Sequence, residues 1–252
     1  MRFYDPSDPT PSPVSAEAIF PKADTEEACR RCIAMGMVPS VTSVLGVIRQ
    51  EYVERWKMSE AIKNFQKHGN AWLAVDSMFN SDSRESRFGT EVHDCVHRWL
   101  TGQEIVKGRP WDHALPAVDW LRRNMGKLLV SEGTYACRET GTGGTIDIAF
   151  ESKDGRPVLA DIKVVKMRKA YPPKPPLAYR AQLSAYEMML RARGMPPMQR
   201  VSLYLASPFG DMTVPKVTVF LYNRDYEKEF RAALEIWHAQ FGGGVEKLAP
   251  SD

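Results

Sequence analysis

Apolar residues recur at helical spacing through most of the first half of the chain and at strand spacing through much of the second. Asp24-Thr25-Glu26-Glu27 opens a helix with acids in its first turn, and Gly36 is placed to stop it. Further helices are predicted over about 50–67, 70–79, 89–100 and 112–127, with the polar run 80–87 read as a loop. From Lys127 the period shortens. Residues 128–137, 144–150 and 157–165 are β-branched and apolar, and Asp154-Gly155 supplies a hairpin turn between the last two. Pro172-Pro173-Lys174-Pro175-Pro176 is a stiff connector. A helix (178–193), two strands (200–206 and 214–222) and a closing helix (225–241) follow.

Residues 1–24 hold five prolines and little periodicity, so an extended or poorly ordered arm is expected there. The remainder, 25–252, reads as one α/β or α+β domain, with a helical part over about 25–127 and a sheet core over about 128–241.

Composition narrows the class. Of 252 residues, 43% are hydrophobic and 26% charged, which suits a folded core and argues against long disorder. No run of about 18 apolar residues is present, so no membrane partner is expected. The first residues lack an apolar leader region, so a cytoplasmic, intracellular place is expected. Net charge is only +3. Between Lys163 and Arg200, however, nine cations face a single acid, Glu187, which fits a polyanionic partner. The four cysteines include Cys29-Arg-Arg-Cys32, half of a zinc spacing, but Cys95 and Cys137 provide no second half; free thiols are the expectation.

Three clusters carry chemistry. Strand alternation sets Asp147 opposite Ile146 and Ile148, and puts Asp161 and Lys163 on one face with Ile162 and Val164 on the other. The hairpin brings Asp147 and Asp161 together, where a divalent cation relieves the repulsion of two carboxylates. Lys163 beside them can orient a water or stabilise charge developing on a phosphate. Upstream, Gly89, His93 and His97 stack along one helical face; Gly89 permits close backbone approach, and His93 offers an imidazole ligand. Downstream, Tyr179, Gln182 and Tyr186 share a face of the 178–193 helix, with Leu183 and Met189-Leu190 marking its apolar side. Gln182 can hold a carboxylate or a phosphate.

The series Gly89-x-x-x-His93, Gly144-x-x-Asp147, Asp161-x-Lys163 and Gln182-x-x-x-Tyr186 resembles the RecB-like branch of the PD-(D/E)xK nuclease superfamily, with phage nucleases and the mitochondrial genome maintenance exonuclease nearest. Val38-Pro39-Ser40-Val41-Thr42-Ser43-Val44-Leu45 is similar to the stretch that opens such cores, and the resemblance spans roughly 36–241. It implies a restriction-endonuclease-like core, a mixed central β-sheet flanked by helices. It implies His93, Asp147, Asp161 and the Ile162 carbonyl as ligands of one or two Mg²⁺ or Mn²⁺ ions, Lys163 as the catalytic lysine, and Gln182 and Tyr186 as its support. The implied activity is hydrolysis of DNA, most simply by an exonuclease on single-stranded or free-ended substrate in replication, recombination or repair, in a bacterial or phage-infected cell. Lys166, Arg168, Lys169, Lys174, Tyr179 and Arg180 would border the strand path, with Trp72, Trp99, Tyr171 and Tyr179 available for stacking on bases.

The chain departs from the family in three places. Gly144-Thr-Ile-Asp147 lacks the proline, Asp161 replaces the commoner glutamate, and His97 stands where an acid is frequent. With no cysteine after Cys137, the iron–sulphur cluster of some relatives is not expected. Two other readings compete. One is a non-catalytic nucleic-acid-binding module on a nuclease fold; the other is a zinc hydrolase using His93 and His97, although Asp94 stands where the usual glutamate would.

Overall fold

Turn chemistry sets the first hairpins of the sheet. In the computed structural model, which describes residues 1–48, 51–73, 75, 84–167, 174–208 and 215–242, Gly155 adopts φ +80° between two antiparallel strands. Gly141, at φ +67°, turns the preceding pair. In chain order the elements are β1 (Arg2–Tyr4), β2 (Val14–Ser15), α1 (Ala16–Ile19), α2 (Thr25–Ala34), β3 (Val38–Pro39), α3 (Val41–Leu45), α4 (Glu51–His68), α5 (Arg84–Thr101) and α6 (Arg109–Asn124). They continue with β4 (Met125–Cys137), β5 (Thr142–Ser152), β6 (Pro157–Met167), α7 (Leu177–Arg191), β7 (Gln199–Pro208), β8 (Lys216–Tyr222) and α8 (Glu227–Phe241).

The five long strands form one mixed sheet in the order β4-β5-β6-β7-β8. Only β6 and β7 run parallel, joined by α7 as the crossover; the other pairs are antiparallel. Each face is covered. One layer packs α2, α3, α7 and α8 on the sheet, burying Leu159, Leu183, Phe230 and Trp237. The other packs α5 and α6 on it, burying Val96, Leu121, Phe150 and Ile162. A mixed α/β protein with a five-stranded sheet between helices follows directly from these two layers.

Several expectations need correction. The N-terminal arm is built into the fold. β1 lies between β2 and β3, and Ser40 bridges to Gly143 of the main sheet. Phe3 is fully buried, its ring 5.9 Å from that of Trp237. The prolines of this segment occupy its turns and edges and leave the short ladders intact. α5 begins at Arg84, inside the run read as a loop, because nothing in Arg84-Glu85-Ser86-Arg87 breaks a helix. α6 is shifted three residues earlier than expected: Pro110 sits in its first turn, where a missing N–H costs nothing, and the strand already begins at Met125. α7 is buried on every side from Ala181 to Leu190 rather than along one stripe, because it lies between the sheet and α8. Part of the predicted 70–79 helix and the first two residues of the proline connector lie outside the described residues. Among those described, no helix is long and apolar enough to cross a membrane.

Candidate functional site

The β5–β6 ladder pairs Ile148–Glu151 with Pro157–Ala160 and goes no further. Beyond it the strands part, and the carboxylate of Asp147 takes over: its Oδ2 accepts the Ile162 backbone N–H at 2.8 Å. The alternation of β5 slips at this point. Ile146 belongs to the α7–α8 layer and Ile148 to the α5–α6 layer, although their spacing predicted a shared face. The fork lets side chains from both layers meet through the sheet.

From one side α5 brings His93, whose Nδ1 lies 3.5 Å from Asp147 Oδ2 and 3.5 Å from Glu132 Oε1 on β4. These three residues each place one ligand atom within 4.8 Å of the others. On the other side, Lys163 Nζ donates to Asp161 Oδ1 at 2.7 Å and lies 5.0 Å from the centre of the Tyr179 ring. Below them Gln182 Nε2 donates to the Tyr186 hydroxyl at 3.0 Å. Tyr186 closes over Gly144, where a β-carbon would come within 2.8 Å of its ring; that contact is why the position carries no side chain.

Charge in this space is finely opposed. Burial pushes the Asp161 carboxyl up, against the pull of Lys163, to about 6. Burial lowers the His93 imidazole, but Asp147 and Glu132 outweigh it and hold the ring up at about 9. Lys163 is likewise disfavoured by burial, yet Asp161 and Asp147 raise its pKa and keep it an ammonium. Tyr186 is raised strongly by burial, with Asp147 adding to it, so its hydroxyl stays neutral. Asp161 Oδ2 is buried without a hydrogen-bond partner. The His93–Glu132–Asp147 group, with two carboxylates and an imidazole, could hold a divalent cation.

A pH prediction follows for the protein without metal. A folded His93 pKa of about 9, above the ordinary 6.5, contributes stability below pH 6.5 that is lost as pH rises through 9. Asp161, raised to about 6, has already lost its share by then. The lowered imidazoles of His113 and His238 act in the opposite sense, but only around and below pH 6.5. In EDTA the Tm is therefore expected to fall by on the order of 3 °C between pH 7.5 and 9, and His93→Gln to reduce that slope, the raised thiols of Cys29, Cys32 and Cys95 leaving a residual fall near pH 9.

Other predicted residues are placed differently. His97 Nδ1 meets Ser131 Oγ at 2.8 Å, so the two histidines do not converge and the zinc-helix geometry is not formed. Gly89 provides no close approach to another element: a β-carbon there would meet nothing within 4 Å, because α5 is open on that side. The continuous basic face also breaks up. Arg200 pairs with Glu187 and Asp225, Arg180 donates to the Tyr226 hydroxyl, Arg191 faces Glu227, and Arg193 lies over the Tyr135 ring. Sequence distance concealed these partners on α7, α8 and β4. Lys174 is exposed, whereas Arg168, Lys169, Tyr171 and the side chain of Lys166 lie outside the described residues. Tyr179 packs on Lys163, and Trp99 packs in the α5–α6 layer beneath Arg122. Trp72 is 84% exposed.

Cys29 and Cys32 are free thiols buried in the α7–α8 layer, where burial pushes Cys29 up to about 11; Cys95 lies in the opposite layer. Glu132 was not foreseen. Ser131-Glu132-Gly133 reads as ordinary strand, and only the pairing of β4 with β5, which sets Ser131 opposite Ile148 and Gly133 opposite Ile146, puts Glu132 beside Asp147.

No protein-family model and no curated protein matches the chain. Among solved structures, the crystal structure of SSO0001 is similar over 79% of this chain and 82% of its own, with 11% identity and a TM-score of 0.35. A likeness of that size shows neither the fold nor the activity.

Proposed function

We propose that this protein is a divalent-metal-dependent nuclease that hydrolyses DNA phosphodiester bonds, built on a restriction-endonuclease-like core of the RecB-like PD-(D/E)xK kind. The observation that carries the reading is the forked hairpin. It sets the His93–Asp147 contact beside the Lys163–Asp161 pair, linked through the Ile162 N–H on Asp147, and leaves Asp161 Oδ2 buried without a partner. Mg²⁺ or Mn²⁺ would be held by His93, Asp147 and Asp161, with the Ile162 carbonyl at hand. A bound ion there supplies Lewis acidity to a phosphoryl oxygen and acidifies a water.

The chain's own groups do the positioning. Asp161 and the Tyr179 ring hold the Lys163 ammonium at the site, where it orients a water or neutralises charge developing on the phosphate. Gln182 fixes the Tyr186 hydroxyl, and Tyr186 in turn packs against Gly144, three residues before Asp147. The resemblance favours exonuclease action on single-stranded or free-ended DNA, with exposed Lys174 and Trp72 as available contacts.

End-labelled single- and double-stranded DNA, linear and circular, incubated with Mg²⁺, Mn²⁺ or EDTA tests the reading. Metal-dependent loss of linear strands with circles spared is expected, and the labelled end gives polarity. Nicked circles would make the enzyme an endonuclease; absence of cleavage with every metal would overturn the proposal. Asp147→Asn keeps an acceptor for the Ile162 N–H, so the fork should survive, while Mn²⁺ affinity is expected to drop at least about tenfold by titration.

A further inference from the structure

Glu132 has φ +49°, the left-handed region, and is the one non-glycine residue with a positive φ among those described. A side chain with a β-carbon is disfavoured there. The neighbouring glycine does not take up the turn. A β-carbon on Gly133 would lie 2.5 Å from Val130 Cγ1, so that residue is small for packing, and the unfavourable backbone falls on the glutamate. What the turn achieves is visible in the contacts on either side. Successive residues of a regular strand point to opposite faces. Here Ser131 and Glu132 both reach α5: Ser131 Oγ to His97 Nδ1 at 2.8 Å, and Glu132 Oε1 to within 3.5 Å of His93 Nδ1. The two histidines lie one helical turn apart, so β4 grips the helix at two points and presents a carboxylate at the second. Asp161 Oδ1, by contrast, is engaged by Lys163.

We infer that Glu132 is itself a cation ligand, joining His93 and Asp147, and that the left-handed backbone at 132 is retained to deliver it. The inference rests on the nuclease reading of the same site and adds a carboxylate that none of its sequence motifs contains. It separates two properties that a packing role would not: metal affinity, carried by the side chain, and strain, carried by the backbone.

The test uses the full chain and two amides, Glu132→Gln and Glu132→Asn, with Mn²⁺ titrated by electron paramagnetic resonance and melting followed in EDTA. Both variants are expected to bind Mn²⁺ at least about tenfold more weakly than the parent. Asparagine tolerates the left-handed region, so Glu132→Asn is expected to melt roughly 2 °C above Glu132→Gln. Parental Mn²⁺ affinity in Glu132→Gln would overturn the ligand role and leave the nuclease reading standing. No Mn²⁺ binding by the parent would overturn both. Equal melting of the two amides would overturn the claim of a strained backbone.

Discussion

Replacing Lys163 by alanine is expected to lower metal-dependent DNA cleavage at least about a hundredfold while leaving Mn²⁺ binding in place. The lysine is largely enclosed, and its ammonium is 2.7 Å from Asp161 Oδ1 and 5.0 Å from the Tyr179 ring centre, so it is held where an ordinary surface lysine would wander. It contributes no pair of electrons to a cation; its loss removes a donor and a positive charge, not a ligand. The substitution also leaves the Asp161 carboxylate buried beside Asp147 with neither oxygen paired. Part of that cost is relieved by protonation, since burial already raises Asp161 to about 6. The variant should therefore be less stable in EDTA than in Mn²⁺, by a wider margin than the parent. Lys163→Met keeps an apolar stem against Tyr179 but still leaves Asp161 without its ammonium, so it should regain only the packing part of the lost stability, and no cleavage. Normal cleavage by either variant would defeat the assignment.

The second large effect is on folding. Phe3→Ala is expected to cost about 3–5 kcal/mol, the range for truncating a fully buried aromatic residue, and to lower Tm by on the order of 10 °C in a melt. Phe3 belongs to a cluster that includes Cys29, Val41, Phe230 and Trp237, so it ties the N-terminal segment to α2, α3 and α8. Removing residues 1–23 should be more damaging still, because β1 is the central strand of its small sheet and Tyr4 packs directly on Gly143, one residue from Gly144. A truncated protein that melts with the parent would show the segment to be dispensable, as its proline content suggests.

Local pattern was enough to read most of the elements. Val158-Leu159-Ala160-Asp161-Ile162-Lys163-Val164 alternates cleanly, and β6 indeed sends Val158, Ala160, Ile162 and Val164 to one layer while Asp161 and Lys163 stand on the other side. Asp154-Gly155 marked its hairpin because a positive φ is a property of one residue and its neighbours. Asp161 and Lys163 drew attention for a local reason, since charged groups in an apolar strand are costly unless they meet partners, whereas Gln182 and Tyr186 were singled out through the resemblance.

What only the tertiary structure decided depends on contacts between distant segments. The partners of Arg180 and Arg200 come from α7 and from Asp225 and Tyr226 just ahead of α8, so a count of charges along the chain overstated the free basic surface. Residues 1–24 read as an extended or poorly ordered arm because their order comes from other elements, through Phe3 on Trp237 and Tyr4 on Gly143. Glu132 was invisible for both reasons together. Its place beside His93 is fixed by the register of β4 on β5 and by a backbone angle that its own residue type disfavours. Sequence determines what each residue prefers by itself; that glutamate is held where it does not prefer to be, by the sheet and helix packed around it.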